Sequence, residues 1–366
     1  MKINFSRKVV LLGVMLFLVQ VLYAQTGTVP LSQLLYLPVD AESMARASTS
    51  LATMPLLSNI QNQPATLIWN INEAMQDRDP QQSFALANRQ IGGQLLSSAT
   101  YSRTELTTDG ALWGFYANLR VLSSGSESYV FSQSRDYHGF VVEIGAAHPI
   151  CNDKRWSTSL SVIVANGSIA SNIQGGAGGA SAALAYDGRD DHGTGLTAGL
   201  NVRNITTPFF YADKNGSQDK VLPVPADVGI GAAMNFLTRH RNRWLMTLEV
   251  HKTILVFSNN VSNTLLENHV EQYGHFDPAG SYTINIGWEY KKFTGHFLQN
   301  AIVFRLGSIL DSNNQYYSGI TAGGGVIVDH IQINVAYFAI PMVRNTPYGN
   351  NVSVGIAYAF KGISKK

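Results

Sequence analysis

The last long stretch of the chain, Asn350 to Phe360, reads N-N-V-S-V-G-I-A-Y-A-F and is compatible with few folds. In an extended strand successive side chains point to opposite faces. Val352, Val354, Ile356, Tyr358 and Phe360 therefore share one face, and Ser353, Gly355, Ala357 and Ala359 share the other. A half-buried strand of a soluble sandwich usually turns polar or charged residues outward. Here the second face is small and uncharged, as on the inner wall of a strand whose outer face meets lipid. The pattern predicts the closing strand of an outer-membrane β-barrel.

The same period of two recurs from Phe84 onward. It is clearest over residues 110–122, 136–149, 155–166, 194–205, 226–238, 242–252, 280–291, 299–308, 316–328 and 329–340, and weaker over 83–89, 94–106 and 180–187. In 155–165, Trp156, Thr158, Leu160, Val162 and Val164 alternate mainly with serines; in 281–290, Tyr282, Ile284, Ile286, Trp288 and Tyr290 alternate with Ser281, Thr283, Asn285, Gly287 and Glu289. With the closing strand these make about 14 segments of roughly the 9–11 residues a tilted transmembrane strand needs. The fold class expected is all-β, a transmembrane antiparallel barrel of about 14 strands. Trp113, Trp156, Trp244, Tyr290 and Phe360 fall near segment ends, where interfacial girdles belong. A double β-sandwich, as in a soluble exported β-protein, would carry more charge on its outer faces.

Composition supports an exported β-protein. Charged residues are 14% of the 366, against roughly 25% in soluble domains. Lys2, Arg7 and Lys8 precede the apolar run Val9 to Val21, and Tyr23-Ala24 precedes Gln25. This is the order of a secretory signal peptide cleaved near Ala24. After it no apolar run reaches 18 residues, so a membrane could be crossed only with strands. Residues 1–24 hold three of the 26 basic residues and none of the 24 acidic ones, leaving a formal charge of −1 on the remainder. That balance offers no electrostatic footprint for nucleic acid. The single Cys151 cannot form an internal disulfide.

Residues 25–82 lack the alternation, and they are expected to form an N-terminal plug or periplasmic segment. The barrel is expected over 83–360, followed by a short tail over 361–366. The Gly-rich run Ser168 to Gly179 lacks the Lys-Ser/Thr ending of a phosphate loop and reads as a flexible loop. Large extramembrane loops are expected over 253–279 and 206–225. Arg239, His240, Arg241 and Arg243 read as a basic hairpin tip, either simply solvated or set against anionic lipid headgroups. None of the nine histidines pairs at metal-ligand spacing within one element, and neither G-x-S-x-G nor H-E-x-x-H occurs. No catalytic, cofactor-binding or metal-binding residue is expected.

Several pieces, in order, resemble the PorV/PorQ family of outer-membrane barrels, distant relatives of FadL-type channels. They are Leu37 to Ala52 (L-P-V-D-A-E-S-M-A-R-A-S-T-S-L-A), N-Q-P-A at Asn62 to Ala65, G-L-N-V-R-N-I at Gly199 to Ile205 and L-P-V-P-A-D-V-G-I-G at Leu222 to Gly231. L-E-V-H-K-T-I-L-V at Leu248 to Val256, I-N-I-G-W-E-Y at Ile284 to Tyr290 and F-R-L-G at Phe304 to Gly307 follow. The last are G-I-T-A-G-G-G-V at Gly319 to Val326 and Y-F-A-I-P at Tyr337 to Pro341. The second half is closer to PorV. In the plug motif Asn62, Pro64 and Ala65 stand where the family has Asn-Pro-Ala, with Gln63 inserted. The resemblance implies 14 strands and a non-enzymatic role without cofactors. It implies partners in outer-membrane lipid, type IX translocon and attachment-complex proteins, and cargo C-terminal domains that the barrel delivers to the cell surface. The alternative is a FadL-like passive channel for hydrophobic small molecules, compatible with the small inner faces at Gly355 to Ala359 and Gly229 to Ala233. Phe360 resembles the terminal aromatic read by the barrel-assembly machinery.

Overall fold

In a computed structural model of the chain, the described residues are 39–53, 60–69, 81–91, 94–107, 110–124, 138–150, 155–170, 173–190, 192–207, 209–213, 220–222, 225–238, 242–255, 282–294, 300–312, 318–328, 330–339 and 351–361. The alternating segments form strands: β1 (Gln81–Ile91), β2 (Gln94–Leu106), β3 (Leu112–Ser124), β4 (His138–Pro149), β5 (Trp156–Ala170), β6 (Ile173–Arg189) and β7 (Gly195–Thr206). Two short strands, β8 (Phe209–Asp213) and β9 (Lys220–Leu222), interrupt the series. It resumes with β10 (Pro225–Leu237), β11 (Arg243–Leu255), β12 (Tyr282–Phe293), β13 (Ala301–Asp311), β14 (Gly319–Val328), β15 (Ile331–Ala339) and β16 (Asn351–Lys361).

Each wall strand pairs antiparallel with its neighbours in sequence, β7 passing directly to β10. The circle closes where β16 meets β1, from Gln81 opposite Lys361 to Gln90 opposite Val352. The result is a closed 14-stranded antiparallel barrel, as the alternation predicts, and closure removes the exposed edges of an open sheet. No helix among the described residues is long and apolar enough to cross a membrane; the strands do so.

The two faces of each strand separate as their side chains require. On β5, Leu160 is 69% exposed and Val162 64%, while Ser157, Ser159 and Ser161 between and beside them are buried. On β16, Ile356 and Tyr358 are exposed and Ser353 and Ala357 buried. Val354 departs from the expected outward set: it is only 7% exposed. Large exposed apolar residues continue around the wall, among them Phe84, Phe140, Ile230, Leu248, Phe304 and Ile320. In water such a belt would be a severe liability; in a bilayer it is the surface that lipid covers.

One rim carries the connections 107–111, 150–155, 190–194 and 238–242, all of six residues or fewer, and the beginning of β1 and the end of β16; the other carries the long 207–224 and 256–281 connections beside the brief 92–93 and 171–172 ones. Outer-membrane barrels keep their short turns on the periplasmic side and their longer loops outside, so the first rim is the periplasmic one. Aromatic contacts cluster here: Trp113 stacks on His148 at 4.4 Å, Trp156 lies 4.8 Å from Tyr186, Trp244 lies 5.0 Å from Trp288 and 4.6 Å from Tyr290, and Tyr358 stacks on Phe360 at 5.8 Å. This is an interfacial girdle, read from ring centroids.

Most of the Gly-rich run Ser168 to Gly179 is strand, not loop. Residues 168–170 end β5 and 173–179 begin β6, paired from Ser168 opposite Gln174 to Ile163 opposite Gly179. Glycine is needed there by close approach: a Cβ on Gly179 would meet the Ile205 carbonyl at 2.5 Å. Beyond that point β8 replaces β7 as the partner of β6, with Ile173 to Gly176 opposite Asp213 to Phe210. The expected 206–225 loop thus contains a strand pair, β8 with β9. Residues 256–281, the greater part of the other expected loop, lie outside the described residues, as do 1–38 and 239–241.

Candidate functional site: the inner segment and the wall that grips it

Residues 39–53 and 60–69 sit against the inward faces of the strands, and nearly every described side chain in them is buried. The first part contains one helical turn and a half, α1 (Ala41–Ala45). Asp40 caps it by accepting from Ser43 N at 2.7 Å and from the Ser43 hydroxyl. This satisfies an otherwise orphaned donor of the first turn. Ala47 and Ser48 then adopt positive φ, 58° and 64°, and turn the chain out of the helix. The second part carries a 3-10 turn over Pro64–Ile68, with Pro64 at its start.

Two sets of charges fix this segment. The first surrounds α1. Arg46 pairs with Glu42 four residues earlier at 3.2 Å and with Glu289 of β12 at 3.2 Å. Glu289 also accepts from Arg305 Nε of β13 at 2.7 Å, and Arg305 reaches Glu42 at 3.6 Å. Asn334 of β15 accepts from Arg305 at 2.8 Å and Gln332 donates to Glu42 at 3.2 Å. Two arginines and two carboxyl groups therefore hold one another, which is what makes such burial tolerable. Burial raises the Glu42 carboxyl to about 7 despite the opposing pull of Arg305 and Arg46, and burial also raises Asp40 against its bonds to Ser43.

The second set lies next along the wall, on β11, β10 and β7. Glu249 Oε1 accepts from the backbone N–H groups of Ser50 and Leu51 at 2.5 and 2.6 Å. Its other oxygen faces His251 Nε2 at 3.2 Å, and His251 Nδ1 faces Asp227 at 3.0 Å. Asp227 stands opposite Arg203 in the β7–β10 register, and Arg203 donates to Asn62 Oδ1 at 2.7 Å.

Neutral contacts fill in between these sets. Ala47 N donates to Thr321, Thr247 donates to Thr49, Ser353 donates to the Val39 carbonyl at 2.7 Å and Ser157 to that of Ala65 at 2.8 Å. Inward glycines let the backbones approach. A Cβ on Gly199 would collide with the Leu51 carbonyl, one on Gly287 would lie 2.7 Å from the Arg46 carbonyl, and one on Gly323 would meet Ala45 Cβ at 2.5 Å.

The residues singled out from sequence can now be placed. Asn62 is held by Arg203 and, through its carbonyl, by Asn201 at 2.9 Å; Pro64 opens the 3-10 turn; Ala65 takes the bond from Ser157 and packs with Trp69, Ala183 and Ala185. In the closing strand, Ile356 and Tyr358 face outward, Val352 and Phe360 are half-buried and Val354 is buried. The inner wall is not uniformly small and uncharged as its end strands suggest, because Arg120, Glu143, Glu249, Glu289 and Arg305 are buried on it. These residues, with Glu42 and Arg46, were not singled out by sequence. Their signal was present: in a chain with so little charge, Glu249 and Glu289 fall on the face alternate to bulky apolar residues. Among the described residues no group of three or more His, Cys, Asp or Glu could hold a metal ion.

Comparison with solved structures bears on the architecture. The barrel resembles the toluene transporter TbuX of Ralstonia pickettii, at 13% identity over 88% of this chain and 97% of that one, with a TM-score of 0.51. It resembles the P. putida toluene transporter TodX at 13% identity over 87% and 97%, with a TM-score of 0.52. The chain has the fold of these hydrocarbon channels. The CymD monoaromatic hydrocarbon channel shares that channel fold at 9% identity over 89% and 97%, with a TM-score of 0.54. No protein-family model and no curated protein matches the sequence.

Proposed function

We propose that the chain is a passive outer-membrane channel for hydrophobic small molecules, non-enzymatic, whose lumen is occluded by the inner segment. One observation carries the reading: the fold likeness extends over 97% of two toluene transporters and of a monoaromatic hydrocarbon channel. The warrant is analogy between folds, which host many functions, and two features of this chain add to it. The N-terminal stretch reads as an export signal. The strongly charged groups of the inner wall are engaged with each other or with the segment, as in Arg120 with Glu143 at 3.3 Å and Arg305 with Glu289, so the wall offers an ionic solute little to bind. Passage then requires the segment to shift. The test is uptake of a labelled monoaromatic solute by intact cells with and without the gene. Lower initial uptake in the deletion strain, restored by the plasmid-borne gene, supports the reading; equal uptake sinks it.

A second reading, a PorV-like barrel receiving cargo C-terminal domains in type IX secretion, has its own support. The motifs that carry the family resemblance contain the residues that grip the inner segment: Gly199, Glu249, Gly287 and Glu289, Gly307, and Thr321 and Gly323. The resemblance is thus concentrated on interior construction. Cargo retained in the periplasm of the deletion strain, with solute uptake unchanged, would favour this role over the channel.

A further inference from the structure

At the short-turn rim, the lipid-facing side of β11 and β12 carries three rings in contact. Trp244 lies 5.0 Å from Trp288 and 4.6 Å from Tyr290. Met246 and Ile286, on the same faces of these strands, are 56% and 47% exposed and mark this side as the outer one. Lys292 follows Tyr290 by two residues, so it shares that face and stands about 7 Å nearer the rim. It is exposed, and among the described residues no hydrogen bond or ion pair reaches it. Ile302 of β13, also exposed, stands opposite it.

The neighbouring cations are engaged elsewhere. The sequence sets Arg243 in a basic tip that could meet headgroups, but its Nη2 donates to Asn235 Oδ1 at 2.9 Å, and Asn235 is buried on the inner wall. Lys291 falls on the inner face, with its Nζ 5.3 Å from the centre of the Phe293 ring. Elsewhere on the rim, Arg103 also faces outward, near Trp113, yet it pairs with Glu105 at 2.5 Å, and Glu105 stands opposite Trp113. There the chain supplies the carboxylate; at Lys292 the anion must come from outside it.

We infer that Lys292, Trp244, Trp288 and Tyr290 form a binding site for one anionic phospholipid of the periplasmic leaflet. The ammonium takes the headgroup phosphate, because a lysine stem lies along apolar surface while its charged end reaches the polar layer. The three rings and Ile302 line the glycerol and the upper acyl chain, at the depth where Trp and Tyr rings belong. A free phosphate ion would leave the rings unused, so the two halves of the site together fit a lipid. The inference needs only that the strands cross a bilayer, and stands whether the barrel passes a solute or receives a protein.

The test is native mass spectrometry of the full barrel, released from mild detergent after equilibration with equal amounts of phosphatidylglycerol and phosphatidylcholine. Only preparations running as the folded, heat-modifiable band enter the comparison. The parent should retain one phosphatidylglycerol about fivefold in preference to phosphatidylcholine, the effect of one cation near an anionic surface. Lys292→Gln should bring the ratio close to one, and Lys292→Arg should preserve it. Lys291→Gln removes the same charge from the inner face and should also preserve it. Trp244→Ala should lower retention of both lipids severalfold. No preference in the parent, an unchanged preference in Lys292→Gln, an equal loss in Lys291→Gln, or full retention in Trp244→Ala would each overturn the inference.

Discussion

Arg46, in the inner segment, pairs with Glu289 of β12 at 3.2 Å across 243 positions of sequence. Each offsets part of the cost of burying the other. The pair makes the segment part of the barrel's interior, because β12 already holds Arg305 through the same Glu289 oxygen. Changing Glu289 to Gln leaves Arg46 and Arg305 facing one weakened acceptor. Breaking a buried pair in this way typically costs about 3–5 kcal/mol. Heat-modified migration of the variant should set in at markedly lower temperature than in the parent, with the folded band still formed.

The inward glycines make a second, steric prediction. Gly307→Ala and Gly287→Ala put a methyl group against the backbone of Ala47 and Arg46, which cannot yield as a side-chain tip could. Overpacking of this kind costs typically about 1–3 kcal/mol. Gly178→Ala is the matched control, since its nearest neighbour would be the Ile163 carbonyl at 4.0 Å. Labelling of a cysteine at position 44 should rise in the first two variants and not in the third.

Glu42 gives the segment a pH dependence. Its carboxyl is raised by burial from 4.5 to about 7 when docked, so the docked form binds the proton more tightly than the released one. Docking is therefore strongest below about 4.5, weakens as the pH rises through that window, and levels off above about 7. The whole change amounts to about 3 kcal/mol. The mobility of a spin label at position 44 should increase over this range, and Glu42→Gln should flatten the profile.

At the short-turn rim, Phe360 stacks on Tyr358 in the strand that closes the sheet. Phe360→Asp puts a charge among the girdle aromatics and removes the strand's terminal ring. Yield of folded barrel in the membrane fraction should drop severalfold; unchanged yield would show that assembly does not depend on this side chain.

Much of this fold was legible because the barrel imposes one rule on every strand. In β5 and β16 a bulky residue alternates with a small one, and that pattern alone indicated both membrane and lumen. It misjudged the run from Ser168 to Gly179, which looks like a loop but is mostly strand, with Gly179 serving close approach between β6 and β7. It also misjudged the lumen from the end strands. Glu289 was visible as the polar alternate of Trp288 and Tyr290, yet nothing local shows that its partner is Arg46. That pairing depends on closure of the circle, which places β12 and β13 around a segment far away in sequence. The plug motif had the converse fate: Asn62, Pro64 and Ala65 were singled out, but their holders Arg203, Asn201 and Ser157 were not.

The measurement closest to the central claim is the initial uptake of labelled toluene by intact cells, comparing the deletion strain with the same strain carrying the parent gene or the Glu249→Gln variant. A hydrophobic channel occluded by its inner segment predicts reduced uptake in the deletion, recovery with the parent gene, and uptake above the parent level with Glu249→Gln, which weakens the hold on the Ser50 and Leu51 N–H groups. Identical uptake in all three strains, with the barrel present in the membrane at equal amounts in the two complemented ones, would contradict it.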